Sequence, residues 1–280
     1  MTGILQPEIP DNTLSRVLLS PRLFYGFVVL AAVLVILGYT LPADLFFLLN
    51  NMSQVAIGIA CTATSVLLYL SRRQILFSIA AFAFGGWTLS NLFWYSYAAI
   101  LGRNLMYPTV ADAGFLGFFL FLAAAYRVSW PPHPAGTVRE ILVVLPLVLL
   151  PVIAVSSAGA GILIITGLYI LFSVFLLHST VHRVPDKCSM LLAGTVLYCI
   201  TMIYFAVQET YWQLWPEIIR QHFAGPMVIA SFALIQVGLI AWASSGGGLR
   251  RGDDRPDIDL VQDEEEQEQR EGEDEPDQLE

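Results

Sequence analysis

Apolar residues in this chain come in blocks of about twenty separated by short polar breaks, not in the strict alternation of a half-buried strand. A hydrocarbon slab roughly 30 Å thick requires about 20 apolar residues in helical form, because no backbone polar group can stay unpaired inside it. Eight segments meet that requirement: 22 to 41, 53 to 71, 75 to 101, 109 to 127, 139 to 156, 161 to 183, 187 to 208 and 224 to 244. The pattern predicts an all-α fold, a polytopic membrane bundle of eight transmembrane helices over 22–245. A cytoplasmic segment, 1–21, precedes it, and a disordered acidic tail, 246–280, follows it. The first block has an apolar core over 23 to 39, longer than the roughly 7 to 15 residues of a secretory signal core, and is read as a retained span.

Composition narrows the class further. With 56% hydrophobic and 13% charged residues, the chain is excluded from the soluble, disordered and nucleic-acid-binding classes. The net charge of −9 belongs to the tail: residues 253–280 hold 15 of the 23 acidic residues, leaving the preceding 252 residues with 12 basic and 8 acidic. Such a tail has almost nothing apolar to bury; it reads as a solvated extension or as a docking segment for a basic partner.

Arginine placement predicts orientation, since Lys and Arg are retained on the cytoplasmic side. With the N-terminus inside, 12 basic residues fall on inner segments and only Arg103 and Arg220 on outer loops. The expectation is a multi-pass protein of the cell (plasma) membrane with both termini cytoplasmic. Cys61 and Cys199 lie within apolar runs and Cys188 at the end of one, so the three cysteines are expected to be buried or reduced thiols.

Candidate chemistry concentrates on the outer side. In Tyr107-Pro108-Thr109-Val110-Ala111-Asp112, Thr109 is placed to cap a helix and Asp112 to return a bond three residues on. Asp112 is then either a structural cap or, as an ionisable group near the membrane, part of a site. Thr137 and Glu140 repeat the capping pattern before the fifth span. Trp87, Asn91, Trp94 and Tyr95 share one helical face, a pocket wall or an interhelical seam. Glu209, Trp212 and Arg220 belong to the outer loop before the last span, which forms either a ligand pocket with Asp112 or an interfacial lid.

His178 and His182 have the i, i+4 spacing of a metal pair, but the end of a helix gives them the simpler task of satisfying carbonyls. No metal or cofactor is expected: H-E-x-x-H, phosphate-loop and G-x-S-x-G signatures are all missing from the sequence, and its one lysine, Lys187, falls at a turn.

The stretch Arg72 to Arg127 resembles the multi-pass N-terminal membrane sensor domains that precede diguanylate cyclase, phosphodiesterase or histidine-kinase modules. The likeness rests on a basic pair, a long aromatic-ended helix and a phrase of the form [FY]-P-[ST]-x-A-D, here Tyr107 to Asp112 with Thr109 at the Ser position. The resemblance implies a sensor-like module; with no output module after the eighth span, its signal would pass to a separate cytosolic or membrane partner. The preferred expectation is a noncatalytic module binding a small molecule or lipid at its outer face. Its contacts would be Tyr107, Asp112, Trp87, Asn91, Trp94, Tyr95, Glu209, Trp212 and Arg220. The expected partners are the lipid bilayer, that signalling partner and, as an open option, further copies in a homo-oligomer; no nucleic acid is expected.

Two alternatives stay open. A small-solute transporter is suggested by a loose likeness between the two four-span halves, with Pro108 and Pro216 in matching loops. A lipid-modifying enzyme would require paired carboxylates around one outer pocket.

Overall fold

The computed structural model describes residues 13–101, 109–141, 143, 160–210 and 223–245, and every regular element among them is helical. A short helix α1 (Thr13–Leu18) leads into α2 (Pro21–Gly38), α3 (Ala43–Arg72), α4 (Ile75–Leu101) and α5 (Val110–Ser129). Next come α6 (Ala160–Arg183), a 3-10 turn at Asp186–Cys188, α7 (Ser189–Thr210) and α8 (Ala224–Ser244). Six helices among the described residues are long and apolar enough to cross a bilayer: α2, α3, α4, α5, α7 with its preceding turn, and α8. The 24-residue α6 packs between α5 and α7. The predicted fifth span appears only as a helical start at 137–141 and at 143; the rest of it, like the acidic tail, lies outside the described residues.

Local sequence accounts for the helix ends. Ser20 caps α2 by accepting the Arg22 N–H, and Pro21 occupies the first turn, where its missing N–H costs nothing. The α3 helix ends at Arg73, which adopts a left-handed φ of 54° and donates its N–H to the Tyr69 carbonyl at 2.7 Å.

One boundary differs from the expectation. The second span was placed from 53, yet α3 starts at Ala43 and runs for 30 residues, about 45 Å. Asn50 and Asn51, with Gln54 just inside the expected start, depress the local hydropathy and suggest a loop before 53. In the folded chain all three are buried against neighbouring helices, so they interrupt the apolar pattern without interrupting the helix.

Helices α3, α4, α5, α6, α7 and α8 pack in a closed sequence of neighbours, α8 returning to α3, and α2 lies against α8. The last helix is the most enclosed, 67% of its apolar window being buried against 22% for α2. Phe232 of α8 is the hub. It stacks on Phe118 at 4.9 Å and meets Phe84 and Trp87 edge-on at 5.0 and 4.7 Å, while Tyr198 lies 5.7 Å away. Four helices therefore share one aromatic cluster, each ring pair contributing about 0.5 to 1.5 kcal/mol beyond its buried area.

Close approach of α7 to α8 depends on glycine. A Cβ on Gly194 would sit 2.6 Å from the Ile235 backbone nitrogen, and one on Gly238 the same distance from that of Leu191. Small residues let helix backbones touch where lipid offers no hydrophobic drive for association.

Candidate functional site

At the start of α5, Thr109 has extended backbone angles and forms the predicted capping box with Asp112. Its N–H donates to Asp112 Oδ2 at 2.7 Å, and its hydroxyl reaches the same oxygen at 3.1 Å. Oδ1 accepts the Tyr169 hydroxyl of α6 at 2.8 Å. Asp112 is 3% exposed. Both oxygens are thus engaged by the protein, and the carboxylate closes a helix turn and ties two helices together. At the other end of the same pair, the Arg127 Nε donates to Ser179 Oγ at 3.0 Å.

The α4 face is a seam. Trp87 packs on Phe232 of α8 and on Phe115 of α5, whereas Trp94 and Tyr95, both half-buried, rest on Phe47 of α3 at 5.7 and 5.9 Å. Asn91 lies between them, 4% exposed, and its Nδ2 has no hydrogen-bond partner among the described residues. No described hydrogen bond or ring contact joins this face to Asp112, which turns toward α6.

Facing the seam, α3 carries a polar stripe. Asn50 abuts Gly225 at the start of α8, where an added Cβ would come within 2.6 Å of its Cγ. Gln54 follows one turn later on the same side. Deeper, the Cys61 thiol points at the Phe232 carbonyl at 3.7 Å, and the Ser65 hydroxyl donates to Gln236 Oε1 at 3.3 Å. Asn50 Oδ1 and Gln236 Nε2 are buried without a partner among the described residues.

The antiparallel register of α3 and α4 places these groups in order. Phe47 meets Trp94 and Tyr95, while Gly58 lies against Thr88, so Asn91 falls at the level of the Asn50–Gln54 turn. An unpaired amide acceptor and an unpaired amide donor therefore occupy the same stretch of one seam, with the Trp87–Phe232 cluster beneath them. Each unpaired buried polar atom costs about 1 to 3 kcal/mol, so the pair is an expensive arrangement for a purely structural core.

Several expected residues cannot be joined to this geometry. Tyr107, Trp212 and Arg220 lie outside the described residues, as does the side chain of Glu209, whose backbone belongs to the last turn of α7. Thr137 takes a different position from the one predicted. The Gly136 carbonyl accepts the N–H groups of Arg139 and Glu140, so the helix starts at Thr137 and Gly136 stands at its cap. The His178 and His182 rings lie 4.5 Å apart, tilted by 40°, and no group of three metal-ligating side chains occurs among the described residues. All three cysteines are free and buried.

At the opposite face the ends of α5 and α6 are latched. Arg183 donates to the Trp130 carbonyl at 3.0 Å, and the His133 N–H to the His182 carbonyl at 2.8 Å. Arg139 lies 3.0 Å from His133 Nε2, reaches the Val181 carbonyl at 3.4 Å and forms an ion pair with Asp186.

Asn50, Gln54, Tyr169 and Gln236 were not among the candidates. Two signals for them were present: the i, i+4 spacing of Asn50 and Gln54, and a lone glutamine in the otherwise apolar final span. No family model, curated protein or solved structure matches this chain.

Proposed function

We propose that the chain is a noncatalytic, sensor-like membrane module that binds a small neutral polar molecule in the seam between α3, α4 and α8. The observation that carries this reading is the opposite polarity of the two unpaired amides, Asn50 Oδ1 accepting and Asn91 Nδ2 donating. A hydroxyl or an amide group carries both complements, a donor for the first and an acceptor for the second. Amides neither ionise nor attack at neutral pH, so this donor set suits recognition rather than reaction.

Eight spans, cytoplasmic termini and a plasma-membrane location belong to the same reading, supported by the arginine asymmetry. In that orientation the seam lies toward the outer end of the bundle, above the aromatic cluster. That cluster favours a dead-ended pocket over a path for transport. Signalling to a separate partner follows from the sensor-domain resemblance of Tyr107 to Asp112, and ligand occupancy would act by drawing α3, α4 and α8 together.

The test is thermal unfolding of the purified full-length protein across a panel of polyols, sugars, amides and neutral amino acids. The expected result is stabilisation of the wild type by at least one class and loss of that response in Asn91→Leu. A response unchanged in Asn91→Leu contradicts the proposed site.

A further inference from the structure

A cavity of about 320 Å³ lies at the end of the bundle opposite the amide seam, where α3 and α8 both finish. Leu19, from the junction of α1 and α2, and Leu68 and Ile240, from α3 and α8, form its apolar wall. Ser71, Arg72 and Ser244 supply its polar side. We infer that this cavity is a binding site for an anionic glycerophospholipid with a hydroxylated headgroup, of the phosphatidylglycerol kind.

Charge comes first. Arg72 is exposed, and its guanidinium has neither an ion pair nor a hydrogen bond among the described residues. Its neighbour Arg73 is already occupied, its guanidinium lying 5.7 Å from the Tyr69 ring centre beyond the left-handed turn. The backbone N–H groups of Arg73 and Ser245 satisfy carbonyls at the ends of α3 and α8, and Arg72 is the charged side chain in the cavity lining. A guanidinium fork fits a phosphodiester, and at a membrane interface it meets the negative surface of anionic lipid.

The hydroxyls select the headgroup. Ser71 and Ser244 donate to the carbonyls of Leu68 and Ile240, at 3.2 and 2.9 Å, so their oxygens remain as acceptors. Acceptors beside a bound phosphate suit a headgroup that carries hydroxyl donors, which glycerol has and choline lacks. Leu68 and Ile240 give the cavity an apolar side against which the first carbons of an acyl chain can pack. A volume of this size falls at the small end of ligand pockets, enough for a headgroup and its glycerol backbone.

The experiment uses full-length protein in phosphatidylcholine nanodiscs doped with phosphatidylglycerol, with bound lipid counted by native mass spectrometry after release. Wild-type protein should retain phosphatidylglycerol in preference to phosphatidylcholine. Arg72→Gln should weaken that retention about fivefold, the effect of one interfacial cation. Ala243 also lines the cavity, and Ala243→Trp fills it while keeping the charge and should weaken retention as much; Arg72→Lys should fall between.

Equal retention of the two lipids by the wild type overturns the proposal. Loss in Arg72→Gln with full retention in Ala243→Trp also overturns it, indicating diffuse surface attraction. Displacement by soluble glycerol 1-phosphate at equal concentration would make this a site for free phosphate esters and overturn the lipid assignment. Should either variant fail to fold, the wild-type lipid preference and the glycerol 1-phosphate competition still decide the outcome.

Discussion

The Tyr169 hydroxyl reaches Asp112 at 2.8 Å from a different helix, while the opposite oxygen of the same carboxylate holds the Thr109 N–H. A residue whose sequence context indicates a local helix cap is therefore also a long-range tie. The cost of an ionisable group near the membrane is offset by three hydrogen bonds supplied by the protein itself.

Tyr169→Phe should remove one of those bonds without disturbing the cap. The expected loss is about 0.6 to 2 kcal/mol, the range for interhelical hydrogen bonds in bundles. Asp112→Ala should cost more, because it uncaps α5 as well as removing the bond to the Tyr169 hydroxyl. A double-mutant cycle read by reversible unfolding in micelles should give a coupling of about 1 kcal/mol; additive effects would contradict the tie.

Asn91→Leu should stabilise the protein. Removing an unpaired buried amide relieves a penalty of about 1 to 3 kcal/mol and restores an apolar surface of similar size. Asn50→Leu should act in the same direction. The measurement is the unfolding midpoint without added ligand, and a fall in both variants would mean that these amides are satisfied in the folded protein.

Phe232→Ala should be the most damaging of the single truncations in the core. It empties the centre of four helices and is expected to cost about 3 to 5 kcal/mol. Unfolding of the variant in the same micelles checks this against Phe82→Ala, whose parent ring is 66% exposed and which should change stability little.

Gly194→Leu should separate α7 from α8. Its Cβ would meet the α8 backbone, which cannot yield as a flexible side chain does. An overpacking cost of about 1 to 3 kcal/mol is expected, with faster protease cleavage at the helix ends; unchanged cleavage would argue against the close contact.

Much of the architecture was legible because lipid imposes one strict rule, and the last span was predicted with the same limits as α8. The start of α3 was hidden by the same residues that matter most for the site. Hydropathy averages over all faces of a helix, so Asn50 and Asn51 register as a break although they turn inward. Asp112 was legible as a cap because its partner lies three residues away. Tyr169, 57 residues distant, was not, since nothing local links a phenol in one span to a carboxylate in another. The pairing of the two unpaired amides required the register between α3 and α4, which no single helix encodes.

The most direct test of the amide seam as a ligand site is the reactivity of Asn91→Cys toward a small, charged, membrane-impermeant methanethiosulfonate added to intact cells, with native Cys61 and Cys199 as fully buried internal controls. The account predicts modification at position 91 from the outside while both native thiols stay unmodified. Modification only after the bilayer is permeabilised, or none in a folded variant, would contradict a pocket reached from the outer face.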